Sequence, residues 1–388
     1  MKIISILGST GSIGRSALSV INLHPDKYKV FALSGFNNND MLLEQALKFK
    51  PKYIVTKDLI SKKILADKLK LLNLDVEILF GEDGYKFIAA HEKVTTVIAA
   101  ITGSAGLLST ITAAKSGKQI LLANKESMVM AGDLLNKICT ENNSTLIPVD
   151  SEHNAIFQVI SAQTKPEDIN KITLTASGGP FIDFDINSLK KVSVEQALNH
   201  PNWKMGKKIS IDSATMMNKG LEVIEASYLF KIKREKIEVL MHPQSIIHSF
   251  VEFIDGSSLC QLGNPDMRIP IAYALSYPDR ISSGVKGISL EKMSNLNFLK
   301  PDLKKFPCLD LAYHCLSSGT AHCIYLNASN EVAVEAFLSK KINFIQISEL
   351  IDKTLAKVKS TDISSVEHII EVDSIARQEA NILLKKML

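Results

Sequence analysis

The sequence has one tryptophan, no basic block, no internal repeat and no low-complexity tract. Nor does any apolar run reach the roughly 18 to 20 residues that a bilayer-spanning helix needs, so no membrane role is expected. Lysines and arginines are scattered, and the formal net charge is only +4. Nucleic-acid binding therefore gets no support beyond a mild attraction for anions, which a small phosphorylated substrate would satisfy equally. The five cysteines, Cys139, Cys260, Cys308, Cys315 and Cys323, are odd in number and lack CxxC spacing. That pattern argues against a disulfide framework or a zinc site and for a reducing compartment. A first apolar strand at Lys2-Ile3-Ile4 leaves no room for a signal or transit peptide, so the chain is expected to be cytoplasmic, or a mature form without its presequence. An apolar share of 46% and a charged share of 22% are ordinary for globular proteins, so 388 residues suffice for two or three domains with separate cores.

What is present begins with Ile3-Ile4-Ser5-Ile6-Leu7, then Gly8-Ser9-Thr10-Gly11-Ser12-Ile13-Gly14, then a helical pattern from Ser16 to Leu23. Strand, glycine loop and helix make the phosphate-binding turn of a dinucleotide fold, although the glycines recur every three residues instead of as GxGxxG. Small residues there let backbone N–H groups and the helix N-terminus reach a pyrophosphate. Further apolar runs at 29–33, 53–55, 76–79, 96–100 and 119–123 alternate with helical segments. This alternation predicts a parallel, doubly wound α/β sheet. Ligands sit beyond the carboxyl ends of such strands, which are followed here by Ile101 to Gly106 and by Asn124-Lys125-Glu126-Ser127. Lys125 is read as a ligand contact in preference to a solvated surface lysine.

Pro148-Val149-Asp150-Ser151-Glu152-His153-Asn154 follows the apolar pair Leu146-Ile147, and so reads as a strand end opening into a loop or helix start. In an extended chain Asp150 and Glu152 would share a face. Two carboxylates aimed together require a shared proton or a cation, and hard oxygen ligands suit Mg2+ or Mn2+ better than zinc. The plainer alternative is a capped helix start, with Asp150 or Ser151 as cap and Glu152 favouring the helix dipole.

Beyond a strand at 172–176 and a turn at Ser177-Gly178-Gly179-Pro180-Phe181, the chain is polar and irregular to Gly206. This stretch carries His200, the lone Trp203 and Met205 between Gly and Pro residues, and is read as a lid. Ser213 is expected to cap a helix running to about Phe230. On that helix Met217, Leu221, Ile224 and Tyr228 form an apolar side, and Asn218, Glu222 and Glu225 the adjoining one, with Lys219 beside it. His242 and His248, in expected strands of a smaller mixed sheet, are read as structural. A loop at 263–268 precedes a helix at 269–276, residues 281–305 read as a surface linker, and helices at 308–316, 331–338, 345–358 and 365–386 form an expected bundle.

Taken in order, the motifs 8–14, 123–127, 148–154, 177–181, 200–205, 212–222 and 263–268 closely resemble the 1-deoxy-D-xylulose 5-phosphate reductoisomerase family over essentially the whole length. The resemblance implies an NADPH-binding domain at 1–149 and a catalytic, metal-binding domain at 150–280 with a lid at about 178–206. It further implies a linker at 281–305, a helical domain at 306–388, and a homodimer. Asp150, Glu152 and Glu222 would hold a divalent metal (Mg2+, Mn2+ or Co2+). Ser177, Ser213, Asn218 and Lys219 would take the phosphate or nearby hydroxyls of a small phosphorylated sugar. Lys125, Ser151 and Glu152 would stand near the reacting centre, and His200, Trp203 and Met205 would close over the substrate. Thr10, Gly11, Ser12, Ile13, Gly35, Phe36, Asn37, Asn124, Lys125, Glu126, Gly206 and Met267 would contact the cofactor.

One position departs from the family, which usually places Lys or Arg after the second strand to pair with the 2′-phosphate of NADPH. Here Phe36 takes that place, yet no acid lies between Ser34 and Asn39 to favour NADH. Ser34, the asparagines and backbone N–H groups can still donate, so a weakened NADPH preference is expected. Two other readings remain at this level. A metal-assisted dehydrogenase would reduce a carbonyl without rearranging carbon, and a nucleotide-sensing module would show no metal-dependent turnover.

Overall fold

The computed structural model describes residues 1–72, 74–160, 164–203, 205–293, 295–359 and 361–388. They form two compact units. Met1–Ser127, Leu135–Asn154 and Asp266–Lys286 make the first; Met128–Leu134, Ala155–Pro265 and Gly287–Leu388 make the second.

In the first unit the chain runs through β1 (Lys2–Leu7), α1 (Ser12–Leu23), β2 (Tyr28–Ser34), α2 (Asn39–Phe49), β3 (Tyr53–Thr56) and α3 (Leu59–Leu71). It continues through β4 (Glu77–Phe80), α4 (Gly81–Ala90), β5 (Thr96–Ala99), α5 (Leu107–Lys115), β6 (Gln119–Leu122), α6 (Lys125–Glu141) and β7 (Thr145–Pro148). All seven strands pair in parallel in the order β4-β3-β2-β1-β5-β6-β7. The central strands are short continuous apolar runs because both faces are covered by helices: Ile4, Ile6, Leu33, Ile54, Val97, Ile120 and Leu121 are fully buried. The chain winds outward from β1 to β4 and then returns to the other side of β1 at β5, which puts the topological switch point between β1 and β5.

α7 (Ser151–Val159) follows β7, and then β8 (Ile169–Ala176), α8 (Val194–Leu198), α9 (Lys207–Ala214), α10 (Met217–Phe230), β9 (Ile237–Met241), β10 (Ile247–Phe253), β11 (Ser258–Leu262) and α11 (Arg268–Ser276). The second sheet has the order β11-β10-β8-β9, with β8 and β9 parallel and the other pairs antiparallel, hence mixed as expected. The chain ends in α12 (Pro307–Ser318), α13 (Thr320–Leu338), α14 (Ile345–Leu355) and α15 (Val366–Met387), whose apolar faces share a core with Met217, Leu221 and Ile224 of α10.

Several local expectations need correction. Helix α1 begins at Ser12, four residues before the apolar pattern, since Gly11 already serves as its N-cap. Ser213 caps nothing: it lies inside α9, and the chain turns at Met216, whose φ of 63° breaks the helix before α10. The stretch expected to be irregular contains α8, whose Ser193–Gln196 capping box is satisfied in both directions. His242 to Ile246 is a turn, not strand. Helix α13 starts eleven residues before Glu331 because Asn327, Ser329 and Asn330, which interrupt the apolar pattern, are buried with hydrogen-bond partners, the first two within the helix and Asn330 on Asp212 of α9. Lys204 of the expected lid and Ser294 of the expected linker lie outside the described residues.

Candidate active site

At the switch point of the first unit, Gly8 has a φ of +84°, and a Cβ on it would stand 2.5 Å from the carbonyl oxygen of Ala100. Gly14, inside the first turn of α1, would meet Ser9 Cα at 2.4 Å. The loop thus closes tightly against β5 and its own helix. At the N-cap stands Gly11, with no side chain to occupy the first N–H groups, so this helix end offers its donors and its dipole to an anion. Thr10 reaches the loop after β2, because a Cβ on Gly35 would lie 3.1 Å from its Cγ2. These residues fit a dinucleotide diphosphate.

Two segments flank this end of the sheet. Asn124 caps α6 by accepting from Ser127 N at 3.0 Å, while its amide donates to Ile101 O at 2.5 Å, Gly103 O at 2.9 Å and Glu126 Oε2 at 3.2 Å. It thereby ties the loops after β5 and β6 into one surface. The next residue, Lys125, is buried and pairs with Asp150 at 2.5 Å. Asp150 precedes α7, and Ser151 and Glu152 form its first turn, with Ser151 Oγ donating to Glu152 Oε2 at 2.9 Å. The carboxylates therefore stand at a strand-to-helix junction and not along an extended strand. Asn154 fixes this junction by donating to Pro148 O at 2.8 Å and to Pro270 O of α11 at 3.4 Å. Met267 is held in its turn by a two-pronged pair, Arg268 Nη2 to Asp266 Oδ2 at 2.6 Å and Arg268 Nε to Asp266 Oδ1 at 3.0 Å. That pair also holds the Asp266 carboxyl below its ordinary range.

In the second unit His200 and Ser177 are bonded, Nε2 to Oγ at 2.9 Å. Backbone N–H groups of Asn202 and Trp203 both donate to His200 Nδ1, at 3.1 and 3.0 Å. Two donors on Nδ1 leave the neutral ring's proton on Nε2, which then donates to Ser177. Burial pushes the imidazole down to about 4, in keeping with this neutral form. Gly179 N also donates to Ser177 Oγ, at 3.3 Å, so the serine keeps its own hydrogen for a further acceptor. Gly179 itself sits against α9, where a Cβ would stand 2.9 Å from Ser213 O.

On α10 the i,i+3 and i,i+4 spacings act as the sequence implies. Lys219 Nζ and Asn218 Nδ2, the latter at 2.5 Å, both bond the buried Glu222 carboxylate. The helix has Met216 at its N-cap and no side-chain cap, so positive dipole, ammonium and amide are gathered in one turn. Trp203 is half-buried, 6.4 Å from the His248 ring, and Gly206 is the N-cap of α9, in open space among the described residues beyond its chain neighbours. His242 is structural: it lies stacked on Phe298, accepts from Ile246 N at 3.1 Å and is bonded to Asn297 O at 2.9 Å. Missed in the sequence were Asn202, which fastens the segment after His200 to Pro243 O and Ser245 Oγ, and Asp212, bonded by Lys208 at 3.0 Å and Asn330 at 2.8 Å. Only the i,i+4 spacing of Lys208 and Asp212 signalled either of them.

Comparison with known proteins covers nearly all of the chain. A family model described as 1-deoxy-D-xylulose 5-phosphate reductoisomerase matches residues 4–132, and two C-terminal-domain models of the same enzyme match residues 146–230 and 262–379. The reductoisomerase of Ruthia magnifica subsp. Calyptogena magnifica is 49% identical over 387 residues, 100% of each chain. That of Trichlorobacter lovleyi is 50% identical over 380 residues, 98% of this chain and 97% of its own. A crystal structure of DOX-P reductoisomerase in complex with NADPH, fosmidomycin and magnesium is 48% identical, with a TM-score of 0.96 over 100% of this chain and 99% of that one. The Zymomonas mobilis enzyme in complex with NADPH is 42% identical, with a TM-score of 0.91 over 99% and 98%.

Proposed function

Since the chain belongs to the 1-deoxy-D-xylulose 5-phosphate reductoisomerase family, we propose that it catalyses that reaction in non-mevalonate isoprenoid biosynthesis. The substrate's C3–C4 bond breaks by retro-aldol cleavage, the fragments rejoin as a branched aldehyde, and reduction yields 2-C-methyl-D-erythritol 4-phosphate. NADPH would supply the hydride when bound, and Asp150, Glu152 and Glu222 would hold a divalent metal, which would supply positive charge to the substrate's carbonyl and hydroxyl oxygens. An all-carboxylate donor set suits Mg2+, Mn2+ or Co2+, and the glycine-lined start of α1 suits the cofactor diphosphate.

The first two turns of α10 carry the reading. There a buried carboxylate, an ammonium and an amide meet at an uncapped helix N-terminus, as a metal-chelated phosphosugar requires. Lys219, Asn218, Ser213 and Ser177 bind the phosphate and its neighbouring hydroxyls, and Ser177 offers its remaining hydrogen to an anionic oxygen. Lys125 and Ser151 orient the reacting carbons. His200, Trp203 and Met205 cover them and keep water from the reactive fragments. Thr10 to Ile13, Gly35 to Asn37, Asn124, Glu126, Gly206 and Met267 receive the dinucleotide. Residues 1–149 serve cofactor binding, 150–280 catalysis with a lid at about 178–206, 281–305 linkage and 306–388 support.

Assembly as a homodimer and a cytoplasmic location belong to the same reading and rest on the family. Among the described residues no helix is long and apolar enough to cross a membrane. The test is NADPH oxidation with 1-deoxy-D-xylulose 5-phosphate, with and without Mn2+. Turnover that needs both supports the proposal, and turnover indifferent to metal overturns it.

A further inference from the structure

We propose that Lys57, on the loop after β3, supplies the positive charge for the 2′-phosphate of NADPH that the loop after β2 lacks. The inference rests on the NADPH reading above and deepens it. The residues that the sequence offers in place of a basic residue carry no charge, and two of them are held by other bonds. Ser34 is fully buried, its Oγ accepting from Gly8 N at 2.8 Å and its carbonyl from Ser9 N at 2.8 Å. Asn38 caps α2 by accepting from Met41 N at 3.0 Å. Phe36 is 62% exposed and carries no charge. The donors that remain there, the side-chain amides of Asn37, Asn38 and Asn39 and the backbone N–H groups, are all neutral.

The neighbouring strand brings the missing charge. β2 and β3 pair with Ser34 opposite Val55, so Lys57 leaves the same carboxyl edge of the sheet as the Gly35-Phe36-Asn37 turn. Its Nζ lies 3.4 Å from Asn37 Oδ1 and 5.8 Å from the centre of the Phe36 ring. Its other neighbour is Asp58, 3.8 Å away with both side chains well exposed, a weak pair. Asp58 meanwhile accepts from Ser61 N at 2.8 Å as the cap of α3. Of the lysines on α3, Lys68 is taken by Asp40 at 2.6 Å and Lys62 lies over the Phe80 ring. An ammonium beside the ribose end of the site, bordered by an amide and an apolar ring, recognises a phosphate monoester next to an adenosine.

The test is calorimetric binding of NADPH, NADH, 2′,5′-ADP and 5′-AMP to wild type, Lys57→Met and Lys57→Arg without substrate. Lys57→Met keeps the apolar stem on a partly exposed site, so folding is not at stake. It should weaken NADPH and 2′,5′-ADP by roughly 10- to 100-fold, the worth of one charge-assisted hydrogen bond, and leave NADH and 5′-AMP nearly unchanged. Lys57→Arg should retain most of the discrimination. Adding Phe36→Arg to Lys57→Met should restore it, while Phe36→Arg alone should change the ratio little. Equal losses for both cofactors, or none, would overturn the role of Lys57 while leaving the dinucleotide site standing. A wild type that binds no dinucleotide would instead overturn the reductoisomerase reading, and this inference with it.

Discussion

Glu222 gathers an ammonium and an amide on one helical turn and is assigned to the metal with Asp150 and Glu152. Glu222→Gln removes a negative ligand and keeps the volume, so turnover should fall below about a tenth of wild type, a loss above roughly 1.4 kcal/mol in the barrier. Calorimetric NADPH affinity should stay near the wild-type value, and a mutant retaining more activity than this would remove Glu222 from the metal. His200 gives a second test at this scale. Burial holds its imidazole down to about 4, below the ordinary 6.5, while the unfolded chain titrates normally. Above pH 6.5 both states are neutral and nothing is gained. As pH falls through 6.5 towards 4, the unfolded chain takes up the proton first, so this histidine lowers stability in that window. NMR titration of the His200 ring should show a midpoint well below 6.5; a midpoint near 6.5 would mean that Ser177 and the two N–H donors do not hold the neutral form.

At the scale of elements, Gly220 sets how closely α10 approaches α12. A Cβ there would stand 2.6 Å from Ala312 Cβ. Gly220→Ala should therefore destabilise the fold by about 1–3 kcal/mol through overpacking, read as a lower urea midpoint, despite alanine's better helix propensity. An unchanged or higher midpoint would show that the two helices can separate without loss. The same helix shows what the sequence makes legible. The 3.6-residue period disclosed that Met217, Leu221 and Ile224 share a core and that one turn joins Asn218, Lys219 and Glu222, because those relations are local, but not that Glu222, Val223, Glu225 and Ala226 are buried as well. The break at Met216 and the early start of α13 were not legible. Both depend on tertiary partners: a left-handed residue carries no signal in a methionine, and Asn330 reads as polar until Asp212 is seen beside it. Lys57 belongs with these, since only the pairing of β2 with β3 brings it to Asn37.

For the whole molecule, Trp203 offers a built-in reporter, because it is the only tryptophan and lies in the segment assigned to cover the substrate. Its emission should change when a phosphonate substrate analogue binds with metal, and Trp203→Ala should weaken that binding and slow turnover. An unchanged spectrum at saturation with near-normal kinetics would make the residue structural. The central claim, that carbon is rearranged and not merely reduced, is tested by following 1-deoxy-D-xylulose 5-phosphate labelled with 13C at both C3 and C4 through turnover with NADPH and Mn2+. The account predicts that the one-bond coupling between the two labelled carbons disappears in the product, because the C3–C4 bond is broken and C4 is rejoined to C2. A product that forms while consuming NADPH and keeps that coupling would contradict it, and would leave a dehydrogenase acting on an unbroken chain.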